Sequence, residues 1–275
     1  MSPPTITLTT DFGAHDLYVG IMKGIIISIN PKIHLVDLCH NVGPQNIYQT
    51  SFLVGKSHRF FPVYTTHVVV VDPGVGTSRR GLLLVTPSAC FIGPDNGVFS
   101  HILMEGFDER PIFEGKEMLL TLPQGYKAYS LTNPTYWRHP VSSTFQGRDI
   151  FASVAGHFSL GVAPEEMGEE VYEATCLSIV SPEWLGDTIH GFVVHIDGFG
   201  NLVTDIPAET LPDDGSVDVE IMKHRIKGLS SSYSEGGDHL ALIGSYGTLE
   251  LSKKNGDIAN TLGIKVGDLV SVVRQ

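Results

Sequence analysis

Cysteine is scarce in this 275-residue chain: Cys39, Cys90 and Cys176 stand far apart, and none belongs to a Cys-x-x-Cys pair. That excludes a disulfide framework and a zinc knuckle of ordinary spacing, and an odd number of thiols suits a reducing compartment. Positive charge is thin as well, with 18 Lys and Arg against 30 Asp and Glu and a formal net charge of -12. Such a chain repels a phosphate backbone, and no basic cluster is dense enough to offset the repulsion. Nucleic acid is therefore not expected as a partner, whereas a compact cationic ligand is tolerated. No apolar run approaches the roughly 20 residues needed to cross a bilayer, and no basic leader precedes the first apolar stretch. The expectation is a soluble, cytoplasmic protein without a membrane partner. No metal-binding constellation is evident either.

Glycine and proline are plentiful, at 30 and 16 residues, which implies many tight loops between short elements. Hydrophobic residues make up 42% and charged residues 17%, enough for a folded core. In the first half, strand-like and helical patterns alternate. Ile6–Thr10, His34–Leu38, Val68–Val71, Leu82–Val85 and Cys90–Ile92 read as strands; Leu17–Ile29, Ile47–Phe60, Val98–Glu105 and 147–160 read as helices. The valine run at 68–71 has the two-sided burial of a parallel sheet. Beyond Pro164 short strands follow one another between Gly, Asp and Ser turns, with almost no helical period. The reading is an α/β domain over 1–163 with a mostly parallel central sheet, a linker over 164–187, and a small all-β, barrel-like domain over 188–275.

Ligands of open α/β sheets collect at the carboxyl ends of strands, and three unusual loops sit there. Thr9-Thr10-Asp11-Phe12-Gly13 follows the first strand, with Asp16 five residues past Asp11. A carboxylate in that place accepts both hydroxyls of a ribose; the same Asp also reads as a turn or helix cap. Val71-Asp72-Pro73-Gly74-Val75-Gly76 ends the valine run and leads into Thr77-Ser78-Arg79-Arg80. Asp72 there needs a partner, which Arg79 or Arg80 can supply, although a plain Pro-Gly turn has the same look. The phosphate-loop ending Gly-Lys-Ser/Thr is missing. Gly93-Pro94-Asp95-Asn96-Gly97 offers the donor and acceptor of Asn96, or simply a turn. Later come Thr144-Phe145-Gln146-Gly147-Arg148-Asp149 and, between two strands of the second domain, Asp197-Gly198-Phe199-Gly200-Asn201. Phe199 can stack on a purine face and Asn201 can read its edge; a hairpin turn is the alternative.

Taken together, in this order and over nearly the whole chain, these five segments closely resemble the S-adenosylmethionine (SAM) hydroxide adenosyltransferase family. That family is related to enzymes that fluorinate or chlorinate the same substrate. The resemblance implies hydrolysis of SAM at ribose C5′ to adenosine and L-methionine, with no cofactor, in a homotrimer whose sites lie between subunits. It implies that Asp11 holds the ribose hydroxyls and Asp16 lies near the methionine amino group. Asn96, Phe145 and Gly147 would line the ligand, and Asp197, Phe199 and Asn201 would bind it, with Tyr233 and Ser245 flanking the adenine. The family's catalytic Asp and Arg match Asp72 and Arg79. Its His does not: Gln146 stands before Gly147-Arg148-Asp149.

Cleavage at C5′ displaces a neutral thioether from a sulfonium, so the leaving group needs no acid. The site must supply in-line geometry, a dry pocket and a water that loses its proton. Asp72 can accept from that water while Arg79 holds the carboxylate. Gln146 cannot titrate as His does, but its amide can orient the water; another histidine, such as His139, could take its place in space. Two alternatives stand beside hydrolysis. One is halogenation, disfavoured because the Asp72 carboxylate would repel a halide; the other is a binding protein without turnover, raised by Gln146.

Overall fold

A computed structural model describes residues 4–275. Met1–Pro3, on which the reading of a leaderless N-terminus partly rests, lie outside the described residues. The chain divides into two compact units, one ending at Ile179 and the other spanning Val180–Gln275.

The first unit contains β1 (Thr5–Thr10), α1 (Tyr18–Ile29), β2 (His34–Cys39), α2 (Ile47–Ser57), β3 (Thr65–Val70), β4 (Gly81–Val85) and β5 (Ala89–Pro94). After them come α3 (Ser100–Met104), β6 (Glu117–Thr121), β7 (Lys127–Ser130), α4 (Ser153–Phe158), α5 (Pro164–Met167), β8 (Glu169–Val171) and β9 (Glu173–Leu177). Seven strands form one sheet in the order β2-β1-β3-β5-β4-β7-β8. The four strands β2, β1, β3 and β5 are mutually parallel, and β4 and β8 run against the rest. Every residue of β3 and β5 is buried, which requires apolar cover on both faces and explains the unbroken Val68–Val71 run. One cover is α1, whose Val19, Met22 and Ile26 recur at helical spacing and are buried.

Residues 164–179, part of the expected linker, instead belong to this unit. β8 pairs with β7, and β9 pairs with β6 as a separate two-stranded sheet. Backbone pairing, not composition, decides this. Glu169-Glu170-Val171 is polar because it forms the sheet's outer edge, where charge discourages further pairing.

The second unit contains β10 (Trp184–Leu185), β11 (Thr188–Ile196), β12 (Leu202–Pro207), β13 (Val217–Ile221), β14 (His224–Lys227), β15 (His239–Ile243), β16 (Thr248–Lys253), α6 (Ile258–Leu262) and β17 (Leu269–Arg274). The antiparallel order is β14-β13-β17-β11-β12-β16-β15, with β10 on β11. The end strands β14 and β15 return into contact, with His224 and His239 ring centroids 6.3 Å apart. The sheet thus nearly closes around Ile189, Leu202, Val219, Leu249 and Val272. This is the barrel-like domain expected from the sequence.

Two buried histidines carry a stability consequence. His67, on β3, bonds to Thr7 and stacks on Phe91; His101 bonds to Ser51 and meets Phe52 edge-on. Burial, aided by the nearby His58 and Lys56 respectively, pushes each from 6.5 down to about 3. The unfolded chain therefore takes up two protons below pH 6.5 that the folded chain refuses. Stability is fully present above pH 6.5 and falls with pH by about 1.4 kcal/mol per histidine per unit. Unfolding of the first unit at pH 5.5 should show a loss of about 2–3 kcal/mol relative to pH 7.5. A flat profile would contradict the two buried neutral rings. Asp205, raised by burial to about 6, acts oppositely in the second unit, so the two transitions must be followed separately.

Candidate active site

Because β1, β3 and β5 are adjacent and parallel, the loops after them emerge along one edge of the sheet. Asp11, Asp72 and Asn96 therefore share that edge. Val71 is fully buried, so Asp72 leaves the sheet within the protein, its side chain 5% exposed. A carboxylate there requires a partner. Arg79 supplies a fork: its Nε donates to Oδ1 at 2.9 Å and its Nη2 to Oδ2. The same Nη2 donates to Oε1 of Gln146, and the guanidinium lies 5.3 Å from the Phe151 ring centre. The three residues assigned to catalysis thus form one bonded cluster.

The loop is closed locally. The Val75 N–H donates to the Asp72 carbonyl, and the Thr77 N–H and hydroxyl donate to that of Gly74. Gly76 has a φ of +79°, and a Cβ there would fall 2.5 Å from the Ser143 carbonyl oxygen. Only glycine permits both that conformation and the close approach of the 143–146 segment. Arg80 takes a different carboxylate, donating through Nε to Asp95 at 2.9 Å. The residue types alone admit either arginine as the partner of Asp72 and the family resemblance points to Arg79; in the structure Arg79 takes Asp72 and Arg80 takes Asp95.

Gln146 stands immediately before one turn of π-helix, Gly147–Ala152, that runs into α4. Such turns recur at functional sites. The absence of a side chain at Gly147 has a packing reason: a Cβ would lie 3.1 Å from Val70 Cγ1. Asp149, fully buried, is forked by Arg148 at 2.7 and 2.8 Å and also accepts from Arg138 and the Ser142 N–H. Burial alone would raise its carboxyl, but those donors outweigh it and hold the group below the usual carboxylate range. Phe145 meets Phe12 at 5.9 Å and Tyr18 at 5.1 Å, a small aromatic wall beside the Asp11 loop.

Asp11 accepts the Gln45 N–H at 2.8 Å, and Gln45 itself has a φ of +61°, uncommon for a residue with a side chain. The loop is braced by the Gly13 N–H on the His40 carbonyl. Below it a chain of bonds links Thr10 to His40 at 3.0 Å, His40 to Asp37 at 3.0 Å, and Lys23 to Asp37 at 2.5 Å. Asn96 donates to the Val71 carbonyl and accepts the Val98 N–H, so it anchors the backbone one residue before Asp72. Asp16 lies exposed in the turn before α1. His139 is exposed and its Nε2 bonds the Pro134 carbonyl at 2.9 Å, which ties it outside the Asp72 cluster. Among the described residues no group of three or more His, Cys, Asp or Glu is placed to hold a metal, and no helix is long and apolar enough to cross a membrane.

The second unit carries its own concavity, about 1000 Å³, and all five residues expected there line it: Asp197, Phe199, Asn201, Tyr233 and Ser245. Asp197 organises the turn, accepting the N–H groups of Phe199 and Asn201 and the Asn201 side-chain amide at 2.8–2.9 Å. Phe199 is left 80% exposed, a flat apolar face suited to stacking. The Tyr233 hydroxyl donates to Glu250 at 2.7 Å. Burial first, and then Glu250, raises that hydroxyl to about 12, so it remains a donor. Glu250 and Tyr246 also line the cavity and were not identified from sequence. In Thr-Leu-Glu-Leu, strand alternation assigns Glu250 to the outer, solvated face; the cavity walls cover that face and leave it 3% exposed.

The chain matches the SAM hydroxide adenosyltransferase N-terminal domain over residues 6–168 and the C-terminal domain of the same family over residues 191–271. It is 30% identical to the (R)-S-adenosyl-L-methionine hydrolase of Methanocaldococcus jannaschii, over 98% of this chain and 95% of that protein. A fluorinase of Actinopolyspora mzabensis is 24% identical over 99% of this chain and 98% of its own. The crystal structure of an uncharacterized conserved protein from Thermotoga maritima superposes with a TM-score of 0.85 at 30% identity, over 98% of this chain and all of that one. With both domains of the family matched in order, this chain is a member of the SAM hydroxide adenosyltransferase family.

Proposed function

We propose that the chain hydrolyses S-adenosyl-L-methionine at ribose C5′, giving adenosine and L-methionine. The observation that carries the reading is the buried Asp72 carboxylate, forked by Arg79 at the end of β3 and joined to Gln146. Arg79 occupies one acceptor direction on each carboxylate oxygen and leaves others for a water. That water's oxygen forms the new bond to C5′ as the C5′–S bond breaks, and its electron pair returns to sulfur. The water's proton passes to Asp72 and then to solvent, so the balance is SAM and water to adenosine, methionine and a proton.

In this reading Asp11 accepts the ribose hydroxyls, with Asp16, Asn96, Phe145 and Gly147 around the ligand, and Phe199 with Tyr233 takes the base. No cofactor enters the chemistry, and the enzyme works in the cytoplasm as a homotrimer with sites at subunit interfaces. Light scattering of the purified protein tests the trimer. The hydrolase relatives' name specifies an (R) form, so both sulfonium epimers belong in the assay. Incubating the protein with each, with and without chloride, and separating the products tests the reaction. Adenosine supports hydrolysis, a chlorinated nucleoside supports halogenation, and unchanged ligand supports binding without turnover. That last reading draws on Gln146, which cannot take a proton as His does.

Gln146→His measures that departure directly. We expect kcat for adenosine release to rise, by up to about tenfold, because imidazole adds a titratable acceptor beside the water. A fall of more than about tenfold would show that the amide has a role that His cannot replace.

A further inference from the structure

The cavity of the second unit holds a carboxylate that the hydrolytic reading leaves without a task. Glu250 is 3% exposed and lines the cavity. Its Oε1 accepts both the Tyr233 hydroxyl at 2.7 Å and the Ser252 hydroxyl at 3.0 Å. Among the described residues no hydrogen bond or ion pair reaches Oε2. Space for Oε2 is built in: a Cβ at Gly244 would lie 2.4 Å from Oε2 and 3.1 Å from the Glu250 Cβ, so a side chain there would push the carboxylate from its place. Gly244 immediately precedes Ser245 and Tyr246, two other residues of the cavity wall. Oε2 opens onto the cavity with no donor among the described residues, so it can accept one from whatever fills the cavity. The aromatic faces of Phe199 and Tyr233 select a flat ring system.

We propose that Glu250 is a specificity-determining residue that accepts the exocyclic amine of a 6-aminopurine and rejects 6-oxopurines. This rests on the adenosyl reading above and adds which edge of the base is read. A carboxylate is an acceptor only, so a 6-amino group completes Oε2 while a 6-oxo group sets oxygen against oxygen. Tyr233 acts as a positioning residue. Its hydroxyl fixes Oε1, and the same bond holds its ring beside the carboxylate.

The test is calorimetric binding of adenosine, inosine and N6,N6-dimethyladenosine to the full-length protein, alongside SAM turnover. Wild type should bind adenosine about ten- to a hundredfold more tightly than either analogue, the range for one hydrogen bond to a charged group. Glu250→Gln should bring adenosine and inosine to within about threefold, because a carboxamide can turn its N–H to O6. Tyr233→Phe should narrow the preference without abolishing it, because the Ser252 hydroxyl still holds Oε1; an unchanged preference would remove the positioning role from Tyr233. Dimethyladenosine needs no variant: wild-type protein that binds it as tightly as adenosine overturns the inference even if Glu250→Gln folds poorly, while the assignment to Glu250 itself rests on that variant. A protein that hydrolyses SAM yet binds all three nucleosides alike overturns this inference alone. Failure both to bind any nucleoside and to turn over SAM overturns the adenosyl reading with it. Weakened binding of methionine-bearing ligands in Glu250→Gln, with adenosine unaffected, would assign Glu250 to the amino-acid ammonium and also overturn the inference.

Discussion

Replacing Asp72 by Asn should lower kcat for adenosine release by about 10²–10⁴-fold, the range for removing a positioned general base. The substitution keeps the shape and removes the proton acceptor. Nucleoside affinity should stay within about threefold, since the base and ribose are assigned to other residues. A single-turnover assay under saturating SAM separates the two quantities. An Asp72→Asn protein that keeps a tenth of the wild-type rate would show that the water needs no carboxylate.

Arg79→Met should destabilise the first unit by about 3–5 kcal/mol, because it strands a buried charge and not merely a contact. Asp72 is 5% exposed and Arg79 11%, so solvent screening does little to soften the loss. For a unit of this size that corresponds to a melting temperature lower by roughly 6–20 °C. The double variant Asp72→Asn with Arg79→Met should recover much of the difference, since its buried side chains are both neutral. Thermal unfolding of the wild type, both single variants and the double variant closes the cycle. Additive losses would mean that the ion pair is incidental to the loop. Activity should fall in every variant of the cycle. Asp72→Asn and the double variant, which both lack the carboxylate, should lose rate out of proportion to stability.

Several elements were legible from local pattern alone. Val68–Val71 had to be buried on both sides, and β3 is a central parallel strand. The turn-punctuated strands after residue 188 became the nearly closed β unit. Other elements left no local trace. β6 and β9 are far apart in sequence and polar at many positions, and they become strands only by pairing with each other. β14, His-Arg-Ile-Lys, has one buried residue and is defined by its hairpin with β13. Residues 147–152 have a helical pattern, but side-chain spacing does not distinguish a π turn from an α turn when the segment is this short.

The sequence by itself determined the family, the two-part organisation and the residue types at each loop after a parallel strand. Those follow from periodicity, from glycine positions and from five segments in fixed order. Tertiary structure alone decided that Gln146 joins the Asp72–Arg79 pair, that Arg80 turns to Asp95, and that Glu250 faces a cavity instead of water. Each is a meeting of side chains from separate segments, or a strand face covered by distant residues. Local pattern fixes which groups are available, and only packing determines which of them touch.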